Sequence, residues 1–105
     1  MKKYIITYHF RDNAYDYTKF YEAIKVNMPE YRHITEEAWI VNSDKTAKEI
    51  ADILRPHLHF TDYTCDSLFV AEIDKTNVEG WLGKSLWPFI TDKKEDDEED
   101  KEKVG

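Results

Sequence analysis

Alternating strand-like and helix-like segments in this chain predict an α+β domain. Runs of β-branched and aromatic residues, typical of strands, occupy residues 3–10, 31–36, 38–42 and 67–73. Apolar residues recur at three- and four-residue spacing in residues 17–27 and 47–58, as in amphipathic helices. The order β-α-β-β-α-β predicts the ferredoxin-like arrangement, an antiparallel four-stranded sheet with both helices on one face.

The first strand and first helix have clear boundaries in the sequence. Residues 3–10 read as the strand, and Asp12 begins a turn signal with the asparagine that follows it. Asp16 is the expected N-cap of a helix over residues 17–27. Pro29 stops that helix, because proline cannot continue a helical hydrogen-bond ladder.

The middle of the chain predicts a hairpin followed by the second helix. The two short strands meet at residues 35–37, which we expect to form the turn. Thr46 and Glu49 have the spacing of a capping box, in which each side chain bonds the other residue's backbone N–H. The helix then runs from Ala47 to about Leu58, and Pro56 kinks or ends it.

The C-terminal third combines an apolar strand, an aromatic segment and a charged tail. Apolar residues alternate on both sides of the fourth strand, which indicates that both faces of the sheet are covered. Residues 78–90 either fold back over the sheet or add to the sheet edge of a partner. The candidate interface residues are Tyr8, Phe10, Trp81, Leu82, Trp87 and Phe89.

Length and charge narrow the classes of protein. The 105 residues allow one domain, which we expect to span residues 1–90, with residues 91–105 as a disordered acidic tail. The formal net charge is −7, of which the tail contributes −4, so the composition shows no basic patch for nonspecific nucleic-acid binding. A single cysteine excludes an intrachain disulfide, and no apolar run is long enough to span a membrane, so we predict a cytoplasmic protein.

Several ionisable residues are candidates for chemistry, each with a plainer structural role beside it. His9 ends the first strand, where it could bind a transition metal together with a symmetry mate, or simply be satisfied by backbone and solvent. His57 and His59, with Asp62, Cys65 and Asp66, have an irregular spacing for a zinc site. Histidines at a helix C-terminus are also favoured by the helix dipole alone. We therefore predict no metal site in this cluster.

Five short motifs resemble a known group of proteins. They are KYIITY at residues 3–8, YEAIK at 21–25, the strand around Trp39 at 35–41, TAKEI at 46–50 and GWL at 80–82. They resemble small bacterial and phage proteins labelled "SinR family" over roughly residues 3–87. That family is similar to the CRISPR-associated integration subunit and to virulence-associated endoribonucleases. The resemblance implies a ferredoxin-like homodimer.

The resemblance also implies a metal-binding position at the end of the first strand, and this chain has a different residue at that position. The relatives carry an aspartate at the end of the first strand, proposed to bind metal across the dimer axis, where this chain has His9. A carboxylate is a hard oxygen ligand for Mg²⁺, and an imidazole is not. Asp12 lies three residues further on and is the remaining candidate carboxylate.

Two classes of function follow from these residues. The first is a non-catalytic, homodimeric binding or adaptor protein without a cofactor, which acts on a protein or nucleic-acid complex. The alternative is a metal-dependent endonuclease that uses Mg²⁺ or Mn²⁺ with His9 and Asp12 to hydrolyse an RNA or DNA phosphodiester.

Overall fold

The computed structural model describes residues 1–12, 14–61 and 65–93. The chain divides into two units, Met1–Glu72 and Ile73–Gly105, which are described separately below. The predicted acidic tail lies almost entirely outside the described residues, and the predicted domain boundary near residue 90 stays a prediction. Of the helices in the described part of the chain, none has the length and apolar character needed to cross a membrane.

The first unit is a four-stranded antiparallel sheet with two helices. Its strands are β1 Lys2–His9, β2 Glu30–Thr35, β3 Ala38–Ser43 and β4 Ser67–Glu72. Its helices are α1 Thr18–Asn27 and α2 Ala47–Leu54. The strand order β2-β3-β1-β4, with every neighbouring pair antiparallel, confirms the predicted α+β, ferredoxin-like fold.

Both helices contribute to one hydrophobic core on one face of the sheet. Alternate residues of a strand point to the same face, so Tyr4, Ile6 and Tyr8 of β1 are buried together. The same cluster contains residues of the neighbouring strands and of both helices, namely Trp39, Val41, Phe20, Ala23, Ile24, Ile50 and Leu54. The two-residue period of the strands therefore determines which side chains face the helices.

The start of α1 differs from the prediction. The helix begins at Thr18, and its N-cap Tyr17 makes no side-chain capping bond. The expected cap, Asp16, uses Oδ1 to accept hydrogen bonds from the backbone N–H and the hydroxyl of Thr18, at 2.9 and 2.6 Å. An aspartate that bonds two residues ahead forms a local turn before the helix rather than the cap itself.

The capping box of α2 is confirmed. Thr46 Oγ1 accepts a hydrogen bond from the backbone N–H of Glu49 at 3.1 Å, and Glu49 Oε1 accepts from the N–H of Thr46 at 2.9 Å. The helix ends at Leu54, earlier than the predicted Leu58, and continues as a 3₁₀ turn over Arg55–His57. Pro56 lies in that turn, as expected for a residue that lacks a backbone donor.

Exposure varies strongly across the sheet face opposite α1 and α2. Ile40 of β3 is only 4% exposed, whereas Phe69 of β4 is 64% exposed. The register pairs Phe69 with Thr7 of β1, so the exposed phenyl ring lies on the same face as Thr7 and Ile5. This face therefore presents a large apolar side chain to solvent at the β4 end of the sheet, so the prediction that both faces are covered is wrong for Phe69 within one protomer.

The second unit contains a short helix that the sequence did not predict. Residues Leu86–Thr91 form α3, and Asp92 follows it in the left-handed conformation with φ 57°. Lys75 Nζ lies 2.9 Å from Asp92 Oδ2 and links the start of this unit to the end of the helix. Six residues are too few for the periodicity of apolar residues to distinguish a helix from an irregular apolar segment.

Candidate functional site

The last two residues of β1 have opposite environments. Tyr8 faces α1 and α2 and is 5% exposed, whereas its neighbour His9 faces the other side of the sheet and is exposed. His9 pairs with Ser67 in the β1–β4 ladder, two positions from the pair formed by Thr7 and Phe69. The predicted site residue His9 therefore lies on the same face as the exposed phenyl ring.

Glu37 is the partner of His9. It lies in the β2–β3 turn, and its Oε2 is 2.5 Å from His9 Nδ1. Its backbone carbonyl also accepts a hydrogen bond from the N–H of Tyr8 at 3.1 Å, which fixes the turn beside the end of β1. Both side chains of the His9–Glu37 pair are more than half exposed, so solvent screens the interaction.

The second candidate catalytic residue, Asp12, has different partners. Its Oδ1 accepts a hydrogen bond from the N–H of Ala14 at 2.9 Å, and its Oδ2 lies 3.0 Å from His59 Nδ1. That His59 nitrogen is at ion-pair distance without the geometry of a hydrogen bond. The ring of His59 also stacks on Tyr15, with centroids 4.3 Å apart. His9 and Asp12 are thus held by separate groups.

Asp66 organises the loops around Asp12, a role that sequence reasoning missed. Its carboxylate is buried and accepts hydrogen bonds from Tyr17 Oη at 2.6 Å, from the N–H of Arg11 at 2.9 Å and from the N–H of His59 at 2.7 Å. Burial acts to raise the pKa of Asp66, but the three hydrogen bonds outweigh it and hold the pKa below its usual value.

The bonds of Asp66 connect three segments of the first unit. They join Arg11, two residues after β1, Tyr17, directly before α1, and His59, in the segment between α2 and β4. In the sequence, Asp66 stands out only as an aspartate just before a strand and as a member of the irregular histidine, cysteine and aspartate cluster, for which we predict no metal site. Among the residues that the structure describes, no three His, Cys, Asp or Glu side chains are grouped so that they could hold a metal ion.

Tyr8 is the centre of the buried aromatic network behind His9. Its hydroxyl accepts a hydrogen bond from Trp39 Nε1 at 2.8 Å and donates one to the carbonyl of Glu36 at 3.1 Å. Its ring stacks on Phe10 with centroids 4.7 Å apart and meets Phe20 edge-on at 4.8 Å. Burial raises the pKa of the Tyr8 phenol well above its ordinary value, so the phenol stays neutral.

The predicted interface residues differ in accessibility within one protomer. Tyr8 and Trp87 are buried, and Phe10 packs against the core with its ring stacked 3.6 Å from that of Tyr17. Leu82 and Phe89 are half-buried, while Trp81 is 73% exposed. Of this predicted set, Trp81 offers the most accessible large apolar surface, and its contact with a partner stays a prediction.

Comparison of the chain with protein-family models, with curated proteins and with solved structures finds no match. The resemblance of the five short motifs to the "SinR family" therefore stays a prediction.

Proposed function

We propose that this chain is a non-catalytic binding or adaptor protein that works as a homodimer on a protein or nucleic-acid complex. The observation that carries the proposal is Phe69, a large apolar side chain that is 64% exposed on the sheet face opposite α1 and α2. Aromatic side chains are enriched at the centres of protein interfaces, where they bury a large area.

The surroundings of Phe69 support an interface. Its strand, β4, lies at one end of the sheet order of the described residues, and an edge strand can pair with a further strand through its outer backbone donors and acceptors. On the same face, Ile5 and Ala71 are half-buried and form a direct cross-strand pair. A second copy of the chain would cover both the phenyl ring and this apolar strip.

The partners of the candidate catalytic residues also support a binding role. His9 is engaged by Glu37, and Asp12 lies beside His59 and Ala14. General acid–base or metal chemistry needs its groups to converge on one reacting atom. Two candidate groups with separate partners favour a binding surface at the end of β1.

The oligomeric state tests the interface directly. We expect light scattering coupled to size exclusion to give the mass of two chains for the wild type and of one chain for Phe69→Glu, because a buried unpaired carboxylate is costly. Val26→Glu is the matched control, since Val26 is 81% exposed on α1. A monomeric wild type, or a Phe69→Glu variant that remains as tight a dimer, would contradict this interface.

A third variant distinguishes the Phe69 face from the aromatic segment of residues 78–90, which holds four of the interface residues predicted from the sequence. Trp81→Glu places a carboxylate on the aromatic segment of residues 78–90 instead of on the sheet. We expect this variant to stay dimeric. Loss of the dimer in Trp81→Glu, with Phe69→Glu unaffected, would place the interface on the aromatic segment and overturn the role of Phe69.

A cleavage assay tests the alternative of a metal-dependent endonuclease. Labelled single- and double-stranded RNA and DNA are incubated with Mg²⁺, Mn²⁺ or EDTA, with the wild type and with His9→Ala. We expect no metal-dependent cleavage by either protein. Cleavage by the wild type that is lost in His9→Ala would show that the end of β1 is catalytic and would overturn the proposal.

A further inference from the structure

A cavity on the helix side of the sheet has features of a small-molecule site. It has a volume of about 400 Å³ and is lined by Thr18, Tyr21, Glu22, Lys25, His33 and Trp39. It lies between α1 and the β2–β3 hairpin, on the face opposite to Phe69. Its volume falls in the range of pockets that bind small ligands, and it is separate from the proposed protein interface.

Two stacked rings, those of His33 and Trp39, form a flat aromatic surface in this cavity, called the aromatic shelf below. The ring of His33 lies nearly parallel to that of Trp39, with centroids 4.4 Å apart and planes at 11°. The indole is held in place because its Nε1 donates a hydrogen bond to Tyr8 Oη at 2.8 Å. His33 is exposed, so the face of the imidazole that points away from Trp39 is available to a ligand.

The helix side of the cavity supplies polar groups. Thr18, Glu22 and Lys25 follow the i, i+4, i+7 spacing that places residues on one face of α1. Glu22 and Lys25 are exposed, and neither has a hydrogen bond or an ion pair with another residue of the described ranges. A carboxylate and an ammonium therefore stand next to the aromatic shelf with open bonding capacity, and the Thr18 hydroxyl, which donates to Asp16 Oδ1, can still accept a hydrogen bond.

We propose that this cavity binds a nucleotide. The base stacks on the outer face of His33 with its edge against Tyr21, since histidine and tyrosine rings are common stacking partners of unpaired bases. Lys25 meets the phosphate as a point charge, and Glu22 accepts a hydrogen bond from an exocyclic amino group.

The charge of the chain favours a free nucleotide over a nucleic-acid strand. The net charge of −7 opposes the approach of a long polyanion, whereas a mononucleotide brings only one phosphate to Lys25. The same chemistry of base and phosphate is present in both ligands, so the experiment compares them directly.

Isothermal titration calorimetry with AMP, adenosine and a single-stranded hexamer of adenylate tests the site. We expect saturable binding of AMP at or below about 1 mM, a range typical of weak small-ligand sites. We expect adenosine to bind about tenfold more weakly than AMP, because it lacks the phosphate that Lys25 contacts. A hexamer that binds more tightly than AMP would identify a strand as the ligand and would overturn the preference for a free nucleotide.

Three variants separate the contributions of base and phosphate. His33→Ala removes the stacking platform, and we expect both AMP and adenosine to bind at least tenfold more weakly. Lys25→Ala should weaken AMP about tenfold and leave adenosine unchanged. Lys19→Ala is the matched control, an exposed lysine of α1 that does not line the cavity, and should bind like the wild type.

The outcomes that overturn the nucleotide site are equally specific. Failure of AMP to bind, or AMP affinity that is unchanged in His33→Ala, contradicts the site. Equal losses of AMP affinity in Lys25→Ala and Lys19→Ala show that only general charge is acting, and they also contradict it. Because the cavity and Phe69 lie on opposite faces, none of these results alters the oligomer test.

Discussion

Tyr8 and His9 are adjacent in the sequence and opposite in role. Tyr8 is buried in an aromatic network, and its hydroxyl bonds both Trp39 and the backbone of Glu36. His9 faces the other side of the sheet, where its partner Glu37 is also exposed. The two-residue period of the strand therefore separates residues that stabilise the core from residues that can change at the surface.

This separation has a consequence for chemistry at the end of a first strand. At the position of His9, a histidine can replace an aspartate without repacking the core, because its side chain pairs with the exposed Glu37 and is not part of the core cluster of the described residues. A domain can therefore keep its fold after its chemistry at that position has changed.

The largest expected effect comes from truncating the buried member of the pair. Tyr8→Ala removes a ring that packs between Phe10, Phe20 and Tyr21, and should lower the free energy of unfolding by about 3–5 kcal/mol. His9→Ala should change it by no more than about 0.5 kcal/mol. Urea denaturation followed by circular dichroism measures both values.

A conservative variant separates the ring from its hydroxyl. Tyr8→Phe keeps the packing of the ring but leaves Trp39 Nε1 without its acceptor. We therefore expect the free energy of unfolding to fall by about 1–3 kcal/mol. If Tyr8→Ala and His9→Ala lowered the free energy of unfolding equally, the two faces of β1 would contribute equally to stability, which would contradict the difference between Tyr8 and His9.

Replacement of Asp66 should give the next largest loss of stability, because its carboxylate holds the segments on either side of it in place through three hydrogen bonds. In Asp66→Asn the amide keeps one acceptor oxygen in place of the two that receive bonds from Tyr17, Arg11 and His59. We expect the free energy of unfolding at pH 7 to fall by about 2–3 kcal/mol. Asp52→Asn, on an exposed i,i+4 pair with Lys48, is the control and should cost less than about 0.5 kcal/mol.

The pH dependence of that difference tests the charge of Asp66. Its folded-state pKa is depressed, so its contribution is fully present above the unfolded-state pKa of about 3.9 and is lost as pH falls through the lower folded-state pKa. Wild type and Asp66→Asn should therefore differ most at neutral pH and converge below about pH 4. A difference that is constant from pH 7 to pH 3 would show that the carboxylate is not the titrating group.

Removing the N-terminal cap of α2 should lower the free energy of unfolding by a smaller amount. Thr46→Ala removes one half of the capping box of a helix that contributes Ile50 and Leu54 to the core, and should cost about 1 kcal/mol. Ser85→Ala is a matched control, because Ser85 is the N-cap of α3 and makes no side-chain capping bond. Thermal unfolding of the two variants compares them, and equal shifts would contradict a specific role of the cap.

Features that depend on nearby residues could be predicted from the sequence. The capping box needs only Thr46 and Glu49, and the hairpin needs only the turn between two short strands, and both are present as expected. The order of strands and helices was sufficient for the fold class. The boundaries of α1 and α2 differed because local turns at Asp16 and Pro56 compete with the helix.

Features of the candidate site depend on residues that are distant in the sequence. Asp66 meets Tyr17 and Arg11 across 49 and 55 positions, and His9 meets Glu37 across 28. No periodicity or short motif contains such a pairing, since it arises only when the register of β1 against β3 and β4 is fixed. His9 was therefore identified as a candidate while its partner was not.

The smallest expected change in stability, that of His9→Asp, tests directly whether the exposed end of β1 can bind a metal ion. His9→Asp introduces the carboxylate that the sequence resemblance implies, beside Glu37, whose Oε2 contacts His9 Nδ1 in the wild type. Two carboxylates near each other in solvent repel by about 1 kcal/mol at most. We expect a slightly lower melting temperature without metal and recovery of that loss on adding Mg²⁺ or Mn²⁺, whose preferred ligands are oxygens.

His9→Asn is the matched control for this last prediction, because it has the shape of aspartate without the charge. It should melt like the wild type with or without the metal. Recovery in His9→Asp alone would mean that Glu37 supplies half of an oxygen site, and that in the wild type His9 Nδ1 occupies the Glu37 oxygen of that site. A His9→Asp variant that is indifferent to metal would instead mean that the turn moves Glu37 away, and that the end of β1 serves as a contact surface whatever residue occupies it.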